Sequence, residues 1–124
     1  MKNILLIDDE ELVTKSVEKI LAKQGYKVFS CNNGKDAIEI AKKQPLDLII
    51  SDIRMPDMTG IEAIKKIRTL FQSKAQKPVP EILITGYAED QANQEAEDLK
   101  VAEYIYKPFD LRDFLECVKK NLGA

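Results

Sequence analysis

Five short apolar segments alternate with longer amphipathic segments along the 124 residues of the chain. The segments at residues 2–7 and 46–51 are nearly unbroken runs of apolar residues, which is typical of strands buried on both faces of a sheet. Amphipathic segments between such strands form helices that cover the sheet. The alternation therefore predicts a parallel sheet with helices on both faces.

Right-handed crossovers leave few topologies for such a sheet, and we predict a doubly wound five-stranded α/β fold with strand order 2-1-3-4-5. The predicted strands are residues 2–7, 27–31, 46–51, 81–85 and 101–106. The predicted helices lie at residues 10–24, between Gly34 and Pro45, from Thr59 to Phe71, at 88–99, and from Asp110 to just before Gly123. We expect one domain over residues 1–124.

Local signals mark the ends of the helices. Thr59 and Glu62 have the spacing of a capping box, and Asp110 is a typical N-terminal cap. Gly25 is expected to stop the first helix. The helix at 88–99 has the weakest apolar face, because it offers the sheet only alanines and one leucine, and weak burial predicts mobility.

Charge and composition exclude several classes of protein. The chain has 19 Lys and Arg against 21 Asp and Glu, and nucleic-acid binding needs a surplus of cations, so we predict no direct nucleic-acid partner. The absence of histidine excludes His-based catalysis and His metal sites. Cys31 and Cys117 form no C-x-x-C motif, which favours a reduced protein with both cysteines in the core. With no bilayer-length apolar run and no secretion signal, we expect a cytoplasmic protein without membrane contact.

Polar residues follow four of the predicted strands. Asp8 and Asp9 come after the first strand, Asp52 after the third, Thr85 ends the fourth, and Lys107 follows the fifth. The carboxyl ends of parallel strands share one edge, where ligands bind in such sheets. Three carboxylates there would repel one another and raise one another's pKa values unless a cation neutralised them. A metal site is therefore predicted.

The chemistry of these donors indicates which ion they would bind. All are oxygens, which selects a hard cation, and an open site with few carboxylates suits Mg²⁺ better than Ca²⁺. A divalent cation, a lysine and a hydroxyl around one carboxylate can hold a phosphoryl group. The carboxylate itself can be the nucleophile.

Four ordered motifs carry a family resemblance that covers the whole chain. They are Ile-Asp-Asp-Glu at 7–10, Asp-Ile-Arg-Met-Pro-Asp-Met-Thr-Gly at 52–60, Ile-Thr-Gly at 84–86 and Lys-Pro-Phe at 107–109. This pattern resembles the receiver domain of two-component response regulators, similar to the chemotaxis receivers. The resemblance implies a flavodoxin-like (βα)₅ three-layer sandwich.

By the same resemblance, Asp52 is phosphorylated by a histidine kinase or a phosphotransfer protein. Asp8, Asp9 and Asp52, with the backbone carbonyl of Arg54, would bind Mg²⁺, for which Mn²⁺ is a substitute. Lys107 would pair with the phosphoryl oxygens.

The resemblance also implies a switch. A cis peptide between Lys107 and Pro108 would aim the lysine, and Thr85 and Tyr104 match the family's switch pair. The face formed by the fourth helix, fifth strand and fifth helix would then control an effector or a fused output domain and form a phosphorylation-dependent dimer. The chain is expected to catalyse only its own phosphorylation and dephosphorylation.

Two positions are expected to tune the lifetime of the phosphoryl group, namely Arg54 and Tyr87. We hypothesise that the bulky Tyr87 partly screens the group from water. The connection at 72–80 looks slightly longer than is usual in the family, which affects the surface there and not the site.

Other interpretations stay open at this point. Taken singly, Asp8 is also a helix-cap residue, Tyr104 a core aromatic and Asp57 a turn residue. A flavodoxin-like cofactor carrier would need a Ser/Thr/Gly-rich phosphate loop after the first strand, and a dehalogenase-like hydrolase would need Asp-x-Asp and a cap domain. A pseudo-receiver that only binds partners is the main alternative.

Overall fold

The computed structural model describes residues 1–86 and 99–123, and these form a parallel sheet of five strands with order β2-β1-β3-β4-β5. The predicted fold and strand order are therefore confirmed. The strands are β1 Asn3–Ile7, β2 Lys27–Cys31, β3 Leu48–Asp52, β4 Glu81–Thr85 and β5 Glu103–Tyr106. The described helices are α1 Glu11–Lys23, α2 Gly34–Lys43, α3 Gly60–Ser73 and a C-terminal helix, Leu111–Leu122.

Two hydrophobic clusters cover the two faces of the sheet. Leu5 and Ile7 of β1 belong to one cluster, and Ile4 and Leu6 belong to the other, because successive side chains of a strand point to opposite faces. α2 and α3 complete the first cluster, while α1 and the C-terminal helix complete the second. The result is the three-layer arrangement that the continuous apolar runs predict.

The capping signals act as the sequence predicts. Thr59 and Glu62 form both halves of a capping box at the start of α3, and the Asp110 side chain accepts hydrogen bonds from the first turn of the C-terminal helix. Gly25 has φ +87°, in the left-handed region that favours glycine, and α1 ends just before it. Leu111, the first residue of the C-terminal helix, is 40% exposed, and the buried residues of that helix begin at Phe114.

Both cysteines are half-buried at the margins of the clusters, rather than fully in the core as predicted. The predicted helix at 88–99 lies almost wholly outside the described residues. Among the helices that the structure describes, none has the length and apolar character to cross a membrane.

An ion pair between Arg68 and Glu81 connects α3 to the start of β4. Glu81 is buried, and its carboxylate accepts a hydrogen bond of 2.9 Å from Arg68 Nε. Arg68 Nη1 also donates to the backbone carbonyl of Leu99 at 2.8 Å. The guanidinium therefore fixes Leu99 and the first residue of β4 to the same helix.

The connection between α3 and β4, residues 74–80, is a loop, as predicted, although α3 continues to Ser73. Ala75 adopts φ +55°, and the Gln76 N–H donates to the carbonyl of Phe71 at 2.8 Å, which closes the helix end. The carbonyl of Pro80 accepts a hydrogen bond from Ile49 of β3. This loop lies at the amino ends of the strands.

Candidate functional site

The carboxyl ends of four strands form a level edge. Ile7 of β1 is in register with Ser51, Asp52 of β3 with Ile84, and Thr85 of β4 with Tyr106. Residues that end or directly follow these strands therefore share one side of the sheet. Asp8, Asp52 and Lys107 meet there.

Lys107 is the centre of this arrangement. Its Nζ lies 3.0 Å from Asp52 Oδ2, 3.3 Å from Asp8 Oδ2 and 2.7 Å from Glu10 Oε1. Burial lowers the pKa of Lys107, but its hydrogen bonds with Glu10 and Asp52 outweigh burial and raise the pKa above its usual value. The site therefore holds a permanent positive charge in contact with three carboxylates.

The backbone fixes the position of this lysine. The Lys107 N–H donates to the carbonyl of Thr85 at 2.7 Å, which joins it to the end of β4. The Lys107–Pro108 peptide bond is cis. The Lys107 side chain is only 15% exposed.

Asp8 is buried beside the lysine. Its Oδ1 accepts a hydrogen bond of 2.8 Å from the Glu10 N–H. Burial raises the pKa of Asp8 to about 6, and the nearby charge of Asp52 adds to the rise, while the Glu10 N–H and Lys107 oppose it. Asp8 Oδ2 is buried, and within the described part of the chain it makes no regular hydrogen bond but lies 3.3 Å from Lys107 Nζ, so it keeps lone pairs with which it could bind an added cation.

The donors present fit a magnesium ion. Asp8, Glu10 and Asp52 each offer a carboxylate oxygen, and these atoms lie within 4.8 Å of one another. An all-oxygen set with one partner exposed to water suits Mg²⁺, which keeps several water ligands.

The two acidic residues that follow Asp8 lie in different surroundings. Asp9 is exposed and lines a separate cleft of about 840 Å³ that Asp8 also lines and that extends along α1 and α2. Glu10, which the sequence prediction does not include, lies against Lys107. Glu10 has an extended backbone, with φ −90° and ψ 105°, and side chains two residues apart on extended chain face the same side. The spacing of two residues between Asp8 and Glu10 is the feature of the sequence that indicates a shared side for their side chains.

The other predicted residues lie at or near the same edge. Thr85 is buried at the end of β4, and Arg54 is exposed in the loop after β3. Tyr104 is half-buried in β5, in register with Leu83. Tyr87 lies outside the described residues. A cleft of about 560 Å³ opens beside Asp52, and it is lined by Glu10, Val13, Asp52, Gly86, Lys107, Pro108 and Phe109.

Gly60 allows α3 to begin directly against β3, the strand that ends at Asp52. A Cβ at Gly60 would overlap the carbonyl oxygen of Asp52 and would lie 2.7 Å from Ser51 Oγ. The Gly60 N–H donates to the carbonyl of Ile53 at 2.7 Å. The close approach needs a residue without a side chain, and it fixes the chain just after Asp52.

Asp57 fixes the same loop at its other side. Its two carboxylate oxygens accept hydrogen bonds of 2.9 Å from the backbone N–H groups of Gly34 and Lys35, at the start of α2. These bonds lower the pKa of Asp57. Asp57 is therefore more than the turn residue that the sequence suggests, since it ties the loop after β3 to α2.

Residues 4–119 match the family described as response regulator receiver domain. The chain belongs to this family. It is a receiver domain of two-component signalling and not a conventional enzyme.

Individual relatives agree with this assignment. The receiver domain is 31% identical to sporulation initiation phosphotransferase F of Bacillus subtilis over 98% of this chain and 94% of that protein. It is 34% identical to the regulatory protein AtoC of Escherichia coli, of which it spans only 25%. Among solved structures, the response regulator TrrA of Thermotoga maritima, in complex with Mg²⁺-BeF, has a TM-score of 0.82 and 30% identity, with 98% of this chain and 100% of that chain covered.

Proposed function

We propose that this receiver domain accepts a phosphoryl group on Asp52 from a phosphohistidine of a histidine kinase or phosphotransfer protein, in a Mg²⁺-dependent reaction. The observation that carries the proposal is the 3.0 Å contact between Asp52 Oδ2 and Lys107 Nζ at the wall of an open cleft. Asp52 is buried enough to be held in place, yet it lines the cleft from which a donor would approach.

The step is an in-line displacement at phosphorus. A carboxylate oxygen of Asp52 forms the new P–O bond as the P–N bond of the donor breaks, and the released imidazole nitrogen takes up a proton. The product is a mixed anhydride, and water later cleaves it to regenerate the Asp52 carboxylate and inorganic phosphate. Because such transfer depends mainly on charge neutralisation and positioning, the fixed cation of Lys107 is the chain's own main contribution.

The same pocket would hold the metal. Asp8 and Asp52, with Asp9 and the carbonyl of Arg54 as the resemblance implies, would bind Mg²⁺, which would neutralise charge on the phosphoryl oxygens when bound. Asp8 supports this assignment because its buried carboxylate lies beside that of Asp52 and its Oδ2 contacts only the ammonium of Lys107 among the described residues. TrrA, a relative, was crystallised with Mg²⁺-BeF.

The signal would leave the site through β4 and β5. Thr85 would move to the phosphoryl group and Tyr104 would follow inward, and the hydrogen bond between the Lys107 N–H and the Thr85 carbonyl links the lysine to that strand. The output face would include β5 and the C-terminal helix, together with the predicted helix at 88–99.

Intact-mass measurement with Mg²⁺ and acetyl phosphate tests the proposal. Wild type should gain one phosphoryl group, Asp52→Asn none, and EDTA should prevent the gain. Asp113→Asn, which removes an exposed carboxylate from the C-terminal helix, is the control and should behave like wild type. A wild-type protein that gains no phosphoryl group would favour the pseudo-receiver alternative.

A further inference from the structure

Glu10 contacts Lys107 more closely than either aspartate does. The Lys107 Nζ to Glu10 Oε1 distance is 2.7 Å, against 3.0 Å to Asp52 and 3.3 Å to Asp8. Of the three carboxylates, Asp8 and Asp52 are buried, whereas the Glu10 side chain is 58% exposed. One ammonium is therefore shared by two buried acids and one exposed acid.

We infer that Glu10 is a competing counter-ion that must release Lys107 before a phosphoryl group on Asp52 can pair with it. The inference rests on the proposed phosphorylation of Asp52. It makes Glu10 a positioning residue that slows phosphoryl uptake, because the lysine is engaged by another anion in the resting protein.

Glu10 is the acid that can leave. Asp8 is held by a backbone hydrogen bond and Asp52 lies within β3, so neither can turn into solvent. Glu10 stands at the N-cap of α1 but its side chain makes no capping bond, and rotation about its own side-chain bonds would return it to water. Breaking this contact thus leaves the backbone of the site unchanged.

The arriving group increases the need for release. Phosphorylation replaces the single negative charge of the Asp52 carboxylate with a phosphoryl group that carries about two negative charges and three oxygen acceptors. Glu10 lies among the carboxylates that are within 4.8 Å of one another, so its charge would face the phosphoryl oxygens at short range. Both the loss of Lys107 to Glu10 and this repulsion act against phosphorylation.

The effect is modest, because Glu10 is largely exposed. We expect removal of its charge to accelerate phosphoryl uptake about threefold to fivefold, the latter equivalent to about 1 kcal/mol, which is the size of an exposed ion pair. Screening should reduce the difference at high ionic strength.

The test compares Glu10→Gln with Glu11→Gln. The two variants change net charge equally, but Glu11 pairs with Lys15 at 3.0 Å and is 79% exposed. The initial rate of phosphoryl incorporation from acetyl phosphate is measured by intact mass at saturating Mg²⁺, in low and high salt. Glu10→Gln should be about threefold to fivefold faster than wild type in low salt, and Glu11→Gln should match wild type.

A binding measurement separates this from an effect on chemistry alone. Titration of each protein with Mg²⁺-BeF, followed by backbone amide NMR shifts, should give tighter binding for Glu10→Gln than for Glu11→Gln. Equal behaviour of the two variants, or slower uptake by Glu10→Gln, overturns the inference while leaving the proposed function intact. A wild-type protein that takes up no phosphoryl group overturns the proposed function as well.

Discussion

Replacing Gly60 by alanine should destabilise the receiver domain, although alanine is the better helix former. An added Cβ would overlap the carbonyl oxygen of Asp52 and come within 2.7 Å of Ser51 Oγ. The carbonyl cannot yield easily, because β3 is paired on both sides in the centre of the sheet. Overpacking of this kind costs about 3 kcal/mol, and the gain in helix propensity is at most about 1 kcal/mol, so we expect a net loss of about 2 kcal/mol.

Urea unfolding followed by circular dichroism measures this loss. With an m-value of about 2 kcal/mol/M, the midpoint should fall by about 1 M. Gly86→Ala is the matched control at the same edge, because a Cβ there meets only Lys107 Cβ, at 3.9 Å, among the residues that the structure describes. Its midpoint should stay close to wild type. A Gly60→Ala protein that is as stable as wild type, or more stable, would show that the close approach of α3 to Asp52 is not what requires glycine.

Three further predictions concern charged residues. Arg68→Met should lower the free energy of unfolding by about 2–3 kcal/mol, because Glu81 then stays buried without its cation. The double variant Arg68→Met, Glu81→Met should recover most of this loss, and urea titrations measure both effects. The pKa of Asp8 is raised to about 6 from 3.8, so between these two pH values the native state holds a proton that the unfolded state has released. In EDTA, the free energy of unfolding should therefore fall by up to about 3 kcal/mol as the pH rises from about 4 to 6. Asp8→Asn should remove this dependence of stability on pH, and a dependence that persists in the variant would contradict the assignment to Asp8. Because backbone N–H groups lower the pKa of Asp57, its stabilisation is present above its ordinary pKa and is lost as pH falls, so Asp57→Asn should lower the urea midpoint at pH 7 more than at pH 3.

The fold could be predicted because its determinants are local or repetitive. β4 and β2 have the predicted bounds, since each apolar run is limited by polar residues or turns. The capping box at Thr59 and Glu62 is a four-residue pattern and needs no tertiary information. Strand ends then place Asp8, Asp52 and Lys107 at one edge.

What the sequence could not supply are contacts between side chains that are distant in sequence. Glu10 reaches Lys107 across 97 positions, and Asp57 reaches Gly34 across 23. The choice between Asp9 and Glu10 depends on which way each side chain points in one extended turn. The ion pair of Arg68 and Glu81 depends on how α3 lies over β4, which periodicity does not determine.

The loop at residues 74–80 stands at the end of the strands opposite to Asp52, with a whole strand length between them. Changes in its length or composition would therefore leave the acidic pocket undisturbed. The same separation makes this loop a suitable place to attach a fluorescent dye or an affinity tag. A reporter fixed there would leave the mouth of the cleft beside Asp52 open to a partner protein.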